Sequence, residues 1–391
     1  RNGLNMKAIS QIKDGRIDAW NFLLEISIDE YLNLVNDVID KNDFQRKRVR
    51  SSKTVYALLK EDLKLGCIIP PLVIALSNTA KTDLNMGNIS SYVIENKKDL
   101  LILDGLQRTL TIKDLLNELS EDSIALDKVK NHKIRLELYV GINRLSILYR
   151  MLTLNTGQTP MTLRQQIEML YMDYLEQQKI PYVSLIRETD SKTARNPGEY
   201  NFHEIIDGFN AYLDREPSPM VRSDILDNIK SLEKLSKENQ KIDLFESYIK
   251  SYHSLLEKIS DLSPNSVTLP VEYIEKNDVF DKTAYRIFRK PQVMSGFGAA
   301  LGKLIDFEII KNIDDSVSLI DKLTIDDPYE FLEKINRYLA EIKKKSKKIG
   351  TSQREFFMIY FRILFNKGTD SYLNLTDTCD AAYKKYEQEN F

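Results

Sequence analysis

The chain has 391 residues, more than one ordinary compact core holds, and domain sizes of roughly 100–200 residues predict at least two domains. A composition that is 42% hydrophobic and 29% charged is typical of a globular protein, and the formal charge of −2 excludes a chain that is basic overall. Two distant cysteines and three scattered histidines exclude a structural zinc site. The same cysteine usage, with no apolar stretch behind the N-terminal charges, predicts a reduced, cytoplasmic protein without a membrane segment.

The first 180 residues alternate between strand-like and helix-like patterns. An apolar run over 21–28 precedes Asp29, a residue type that caps helices, and a helix to residue 40 is predicted there. Gly66 is expected to end a second helix. The further predicted elements are a helix over 53–65, a strand over 68–76, a β-hairpin over 92–103, a helix over 107–119, a strand over 134–140, and helices over 143–153 and 162–178.

Beyond residue 180 the periodicity is almost entirely helical. A polar, turn-rich segment over 187–200 predicts a linker or loop. The helices predicted after it are 202–214, 222–237, 241–260, 282–290, 297–311, 328–345 and 353–366. The sequence therefore predicts the α+β class, with an N-terminal α/β domain over 1–180 followed by an all-helical domain over 181–391.

The segment with the clearest chemistry is Asp-Gly-Leu-Gln-Arg-Thr at 104–109, which follows the apolar run 100–103. A buried strand there opens directly into a helix, and the first amides of a helix attract anions because they lack internal acceptors. Gly105 permits a tight turn, and Arg108 can direct two donors onto phosphate oxygens. Asp104 and Thr109 could serve a metal ion or a ribose hydroxyl, and Gln107 could orient water. On these six residues alone a purely structural role, with Asp104 as N-cap and Arg108 on the surface, is equally open.

Four segments together resemble one superfamily. The segment at 104–109 is similar to the DGQQR signature of the N-terminal domain in GmrSD-type restriction enzymes and to the DGQxR motif of DndB-like proteins, both ParB/sulfiredoxin-like. The segments at 42–49 (NDFQRKRV), 66–74 (GCIIPPLVI) and 154–162 (LNTGQTPMT) resemble three further elements of these proteins, in the same order. The resemblance covers roughly 21–170 and implies a ParB/sulfiredoxin-like fold for the N-terminal domain.

The resemblance also implies which residues contact a ligand. In that superfamily the turn at the motif cradles the phosphates of a nucleotide, which assigns this role to Asp104, Gly105, Gln107, Arg108 and Thr109. Further contacts implied by the upstream and downstream motifs are Gln45, Arg46, Asn155 and Thr156. Alternatives remain for the last four residues, because 45–50 is also a plain charge run and 155–157 also suits a helix C-cap.

Two departures from the family pattern bear on function. Leu106 stands where the family has the first glutamine of its motif, so one potential ligand contact is missing. The GmrSD-like enzymes carry a C-terminal HNH nuclease that needs histidines, whereas no histidine follows His253 in this chain. Any nuclease step is therefore expected from a partner protein.

Two other segments each allow a functional and a structural interpretation. The glycine-rich stretch 296–303 superficially resembles a phosphate loop, but its spacing does not fit one, so close helix packing is favoured. The strongest basic cluster is a DNA-binding candidate that comprises Lys343, Lys344, Lys345, Lys347 and Lys348. A solvated helix end is the competing interpretation, since lysines also suit the negative pole of a helix dipole.

The sequence thus leads to a functional expectation with alternatives. The leading one is a nucleotide-binding, ParB-like protein of bacterial DNA modification, restriction or antiphage defence, with an NTP and Mg²⁺ as cofactors. If the nucleotide is hydrolysed, Asp104, Gln107 and Arg108 are the catalytic candidates, since phosphoryl transfer depends on positioning and charge neutralisation. The alternatives are a non-enzymatic DNA-binding regulator and a scaffold that recruits a partner nuclease.

Overall fold

The structure, a computed structural model, describes residues 6–40, 53–77, 83–143, 146–147, 149–150, 171, 173–176, 180–187, 194, 196–218 and 243–390. The described residues up to Arg150 form one compact unit, and those from Tyr171 onward form a second. This division falls slightly before the predicted boundary at residue 180. The predicted α+β class is confirmed, with a sheet in the first unit and helices dominating the second. None of the described helices is long and apolar enough to cross a membrane.

The first unit is built on a five-stranded mixed sheet. Its strands are β1 (Lys7–Asp14), β2 (Ala19–Ser27), β3 (Leu72–Ser77), β4 (Leu100–Asp104) and β5 (Lys133–Ile142). They lie in the order β1-β2-β5-β3-β4, with β3 parallel to β5 and the other neighbours antiparallel. The strand predicted over 68–76 begins only at Leu72, because prolines 70 and 71 lack the N–H groups that a ladder requires. The irregular edge strand β1 was not predicted.

Five described helices accompany the sheet, and their inward residues build its core. They are α1 (Ile28–Asp40), α2 (Lys53–Leu65), α3 (Ile89–Glu95), α4 (Leu106–Glu118) and α5 (Ser123–Lys130). The predicted helices over 53–65 and 107–119 are confirmed as α2 and α4, and Gly66 has the expected left-handed conformation after α2, with φ 83°. Alternate residues of the central strand β5 (Ile134, Leu136 and Leu138) are buried in this core.

The start of α1 differs from the prediction in its cap. The helix begins at Ile28, so Asp29 lies in the first turn instead of capping it. Ser27 and Glu30 cap the helix instead, each through the other. The Glu30 N–H donates to Ser27 Oγ at 3.3 Å, and the Ser27 N–H donates to Glu30 Oε2 at 3.2 Å. This arrangement is a capping box, and its signal, a serine three residues before a glutamate, is present in the sequence.

The hairpin predicted over 92–103 is wrong. Residues Ile89–Glu95 form α3, a short 3₁₀ turn follows at Lys97–Asp99, and only β4 is a strand. Ile89 and Val93, four residues apart, are both fully buried, which is the spacing of one helical face. The prediction began the segment at Tyr92 and so missed the first residue of this pair.

The described part of the second unit is helical apart from one short strand pair and an isolated β-bridge between Thr324 and Asn374. Its helices are α6 (Asp173–Glu176), α7 (Phe202–Asp214), α8 (Leu244–Leu262), α9 (Val271–Lys276), α10 (Ala284–Phe288), α11 (Pro291–Asp306), α12 (Asp315–Ile320), α13 (Pro328–Lys345), α14 (Ile349–Leu364) and α15 (Leu375–Asn390). Strands β6 (Ser184–Ile186) and β7 (Glu199–Asn201) pair in parallel, so the end of the predicted linker 187–200 is a strand. The helices predicted over 202–214 and 328–345 match α7 and α13 to the residue.

Helix α15 was not predicted, because it buries small and polar side chains. Its buried residues include Thr376, Thr378, Cys379 and Ala382. Two of these side chains bond to a carbonyl one turn earlier: Thr378 Oγ1 donates to the Asn374 carbonyl at 2.6 Å, and Cys379 Sγ donates to the Leu375 carbonyl at 3.4 Å. Such residues leave little apolar periodicity in the sequence.

Helix α11 passes very close to its neighbours through its glycines. A Cβ atom at Gly298 would lie 2.2 Å from the Gly208 carbonyl oxygen in α7, and one at Gly296 would lie 2.5 Å from Phe357 Cβ in α14. These approaches leave no room for a side chain. The preference for close helix packing over a phosphate loop at 296–303 is therefore confirmed.

A buried asparagine joins α13 to the segment before α10. Asn336, 1% exposed, accepts from the N–H groups of Phe280 and Asp281 through Oδ1, at 2.7 and 3.2 Å. Its amide nitrogen donates to the carbonyls of Asp281 and Leu332, at 3.1 and 2.9 Å. This one side chain thus bonds to four main-chain groups, and the three that belong to Phe280 and Asp281 lie outside α13.

Replacing Asn336 by leucine is expected to destabilise the chain by about 2–4 kcal/mol, since an unsatisfied buried group costs roughly 1–3 kcal/mol and several lose their partner. Thermal unfolding followed by circular dichroism measures the effect. Asn277→Leu serves as the matched control, because this exposed asparagine donates to only one carbonyl, that of Tyr273 at 2.9 Å. Equal melting temperatures for the two variants would contradict the assigned role.

Candidate functional site

The candidate site is the turn that joins β4 to α4. Strand β4 ends at Asp104, Gly105 has φ 95° and ψ 15°, and α4 begins at Leu106. The predicted order of strand, glycine turn and helix is thus confirmed. The N-cap residue is Gly105, which has no side chain to cap α4, and the first turn contains no acidic residue. Among the described residues, the leading main-chain N–H groups of α4 therefore have neither an internal acceptor nor a side-chain cap.

Glycine is required at position 105 for two reasons. Its φ lies in the left-handed region, where L side chains are strained. In addition, a Cβ atom there would lie 2.3 Å from Leu72 Cδ2, at the fully buried start of β3. Strand β3 reaches this point because Val73 pairs with Asp104 across the β3–β4 ladder. The turn is therefore packed directly onto the neighbouring strand.

Arg108 ties the turn to the chain before β3. Its Nη2 donates to Asp104 Oδ2 at 2.8 Å and to the Pro71 carbonyl at 3.4 Å, while Nη1 donates to the Pro70 carbonyl. The Arg108 and Asp104 side chains are 13% and 21% exposed, so this ion pair is substantially shielded from water. The guanidinium is thereby held in one orientation at the start of α4, with the carboxylate beside it.

Two buried hydroxyl groups form a chain of hydrogen bonds that supports the turn. Tyr31 in α1 donates to Thr109 Oγ1 at 2.8 Å, and Thr109 Oγ1 donates to the Gly105 carbonyl at 2.8 Å. Both side chains are fully buried. Burial raises the pKa of Tyr31 well above its usual value, against the smaller lowering effects of the Thr109 hydrogen bond and the Arg108 charge. The phenol therefore stays protonated and acts as the donor at neutral pH.

These contacts refine the roles predicted for the site residues. Asp104, Gly105, Gln107 and Arg108 lie together around the first turn of α4, and the Gln107 side chain is half-buried. Thr109 was expected to contact the ligand, but its buried hydroxyl is already bonded on both sides, so it supports the turn instead. The predicted contacts from the other two motifs lie outside the described residues: Gln45, Arg46, Asn155 and Thr156.

Sequence reasoning missed the residues that brace the site from a distance. Tyr31 lies 78 positions before Thr109, and Pro70 lies 38 positions before Arg108. A partial signal existed for the prolines, since a proline pair ahead of a strand cannot join its ladder and leaves its carbonyls available. No local signal marks Tyr31.

The residues present fit a phosphate group better than a protein-held metal ion. Within the described ranges no three His, Cys, Asp or Glu side chains converge to hold a metal ion. Asp104 is one carboxylate, and one of its oxygens already accepts from Arg108. Mg²⁺ commonly binds through one or two carboxylates together with substrate phosphates, so Asp104 could hold it only with oxygens that the ligand supplies.

Three lysines of the predicted DNA-binding run are engaged by acidic side chains. Lys343 pairs with Asp278 at 2.6 Å, Lys344 with Glu341 at 2.9 Å and Lys345 with Glu387 at 2.6 Å. Their carboxylate partners raise the pKa of Lys344 and of Lys345. Three of the five lysines in the run thus have a carboxylate partner.

Comparison of the chain with family models, with curated proteins and with solved structures gives no match. The ParB/sulfiredoxin-like resemblance therefore rests on the four motifs alone.

Proposed function

We propose that the chain is a nucleotide-binding protein whose residues 104–109 receive a phosphate group of the ligand. The observation that carries this proposal is the start of α4: uncapped main-chain N–H groups follow a left-handed glycine, beside a fixed arginine. A helix N-terminus of this kind carries a partial positive charge and donors that point at an anion. The phosphate would bind the main-chain groups of residues 106–108.

In this proposal Arg108 both shapes and neutralises the site. Its bonds to Asp104 and to the prolines fix the turn, and Nη1 has a second N–H group beyond the one that Pro70 accepts. A charge-assisted hydrogen bond from this group to a phosphate oxygen contributes roughly 1.5–3 kcal/mol. Asp104 would either bind Mg²⁺ together with the phosphates or simply orient Arg108.

The wider function follows from the motif resemblance. It supports a role in bacterial DNA modification, restriction or antiphage defence, with an NTP as ligand and with any nuclease activity in a partner. Hydrolysis of the NTP would use Gln107 to orient water, because its half-buried amide is uncharged and polar, whereas the Thr109 hydroxyl in the same turn is already bonded on both sides. The regulator and scaffold alternatives predict no hydrolysis.

Arg108→Ala is expected to weaken nucleotide binding by about ten- to hundredfold, which corresponds to the loss of one charge-assisted hydrogen bond. Isothermal titration calorimetry with ATP, AMP and inorganic phosphate, each with and without MgCl₂, provides the measurement. The variant is also expected to lose stability, because Arg108 joins three segments. Binding is therefore measured at a temperature at which circular dichroism shows both proteins folded.

Arg337→Ala provides the matched control. Arg337 likewise pairs with an acidic residue four positions earlier, Glu333 at 4.0 Å, but lies in the second unit. We expect this variant to bind nucleotide as the wild type does. Failure of the wild-type chain to bind any of the three ligands, or equal binding by Arg108→Ala, would refute the proposal. Binding of duplex DNA in place of nucleotide would favour the regulator.

A further inference from the structure

The basic run at the end of α13 is not uniform in its surroundings. Whereas Lys343, Lys344 and Lys345 have acidic partners, Lys347 and Lys348 are exposed and form no ion pair with any described residue. The half-buried Arg354, in the second turn of α14, likewise has no acidic partner within the described ranges. The positive charge that remains available thus lies at the junction of α13 and α14.

The junction is held in a defined shape by hydrogen bonds. The Ser346 N–H donates to the Ile342 carbonyl at 2.9 Å, which ends α13, and the Lys348 N–H donates to Ser346 Oγ at 3.1 Å. Ser346 Oγ and Ser352 Oγ lie 2.6 Å apart and connect the turn to α14. Lys347 and Lys348 therefore extend from a braced turn, and only their side chains need to be ordered by a ligand.

Arg354 is directed back toward the same junction. A Cβ atom at Gly350 would lie 3.2 Å from Arg354 Nη1, so the guanidinium rests against the first turn of α14. Gly350 lies two positions after Lys348 in the chain. The three cationic groups are thus gathered at one end of the helix, where its dipole is also positive.

The three cations repel one another. The negative C-terminal end of α13 favours Lys347 and Lys348, whereas Arg354 lies near the positive end of α14, whose first turn has no acidic residue to offset it. An anionic partner would relieve the repulsion. Because Lys347 and Lys348 are exposed and Arg354 is half-buried at the adjoining start of α14, they suit a partner that presents closely spaced charges along an extended surface.

We propose that Lys347, Lys348 and Arg354 contact the sugar-phosphate backbone of a nucleic acid duplex. Duplex DNA presents one charge per roughly 1.7 Å of its axis, which allows three neighbouring cations to be matched at once. The planar guanidinium of Arg354 can donate to two oxygens of one phosphate. Such contacts carry no base information, so the binding is independent of sequence.

The test uses the full chain and a fluorescein-labelled duplex of arbitrary sequence, with anisotropy measured over a series of KCl concentrations. The triple variant Lys347→Glu, Lys348→Glu, Arg354→Glu is expected to bind at least tenfold more weakly at low salt. The slope of log affinity against log salt should become shallower by about 0.9 for each lost phosphate contact, or about 2.7 for three. Thermal unfolding verifies that the variant is folded.

The neighbouring paired lysines supply the matched control. The triple variant Lys343→Glu, Lys344→Glu, Lys345→Glu changes the net charge by the same amount, yet should alter affinity and salt slope much less. Equal effects of the two triple variants would show that only net charge matters and would overturn the proposal. It would equally be overturned if the wild-type chain did not bind the duplex, or if poly-glutamate competed as well as unlabelled DNA.

Discussion

Replacing Gly298 by alanine is expected to lower the stability of the second unit by about 3 kcal/mol or more. The added Cβ atom would lie 2.2 Å from the Gly208 carbonyl oxygen and 3.1 Å from the Tyr212 amide nitrogen, both in α7. These are main-chain atoms of a helix and cannot move individually. Overpacking of a core costs typically 1–3 kcal/mol and more where the surroundings cannot yield, so α7 and α11 must separate.

This loss is expected in spite of an opposing local effect. Alanine favours a helix over glycine by roughly 1 kcal/mol, and Gly298 lies inside α11. For a unit of this size about 3 kcal/mol corresponds to a fall in melting temperature of roughly 6–12 °C. Differential scanning calorimetry measures it directly.

Gly350→Ala is the control that separates the cost of overpacking from the gain in helix propensity. Gly350 lies in the first turn of α14, and a Cβ atom there meets only the end of the Arg354 side chain, at 3.2 Å. Because that side chain can swing away, we expect unchanged or slightly increased stability. A destabilisation at Gly298 no larger than that at Gly350 would show that α7 and α11 are not in such close contact.

Replacing Gly105 by alanine is expected to destabilise the first unit by about 3 kcal/mol and to abolish phosphate binding at the proposed site. A left-handed conformation costs a residue with a side chain roughly 1–2 kcal/mol. The contact of 2.3 Å with Leu72 Cδ2 adds an overpacking cost of about 1–3 kcal/mol, because Leu72 is fully buried. Relief of either strain rotates the start of α4 and moves the N–H groups of residues 106–108.

Gly66→Ala isolates the conformational part of this cost. Gly66 has a similar φ of 83°, but the nearest atom to a Cβ there is His132 Nδ1 at 4.0 Å. We expect it to lose about 1–2 kcal/mol in chemical denaturation and to keep its nucleotide affinity. If Gly105→Ala were no less stable than Gly66→Ala and bound nucleotide normally, the turn would not have the geometry assigned to it.

Several features of the chain could be predicted from the sequence because their causes are local. The turn at 104–109 is one: an apolar run, a glycine and a helical period are adjacent in the chain, and they produce β4, Gly105 and α4. The boundaries of α7 and α13 are another, since each has strong amphipathic periodicity; α13 also has Asp327 as its cap and Pro328 as its first residue.

Other features depended on contacts between residues far apart in the chain. Arg108 could be recognised as a cation near a helix start, but only the packing of β4 against β3 brings it to the carbonyls of Pro70 and Pro71. Thr109 was expected at the ligand, and only the position of α1 turns its hydroxyl toward Tyr31. The five lysines of 343–348 are equivalent in composition, yet Asp278 and Glu387, both distant in the chain, pair with Lys343 and Lys345.

One physical reason distinguishes the features that could be predicted from those that could not. Backbone conformation and helix amphipathicity depend on residues within a few positions of each other, so the sequence alone determined where most helices and the candidate turn would form. Hydrogen-bond partners, ion pairs and the room for a Cβ atom depend on which surfaces meet after the chain has folded. The tertiary structure alone therefore decided that Thr109 supports the turn, that Arg108 is fixed by Asp104 and two prolines, and that Gly298 must remain a glycine.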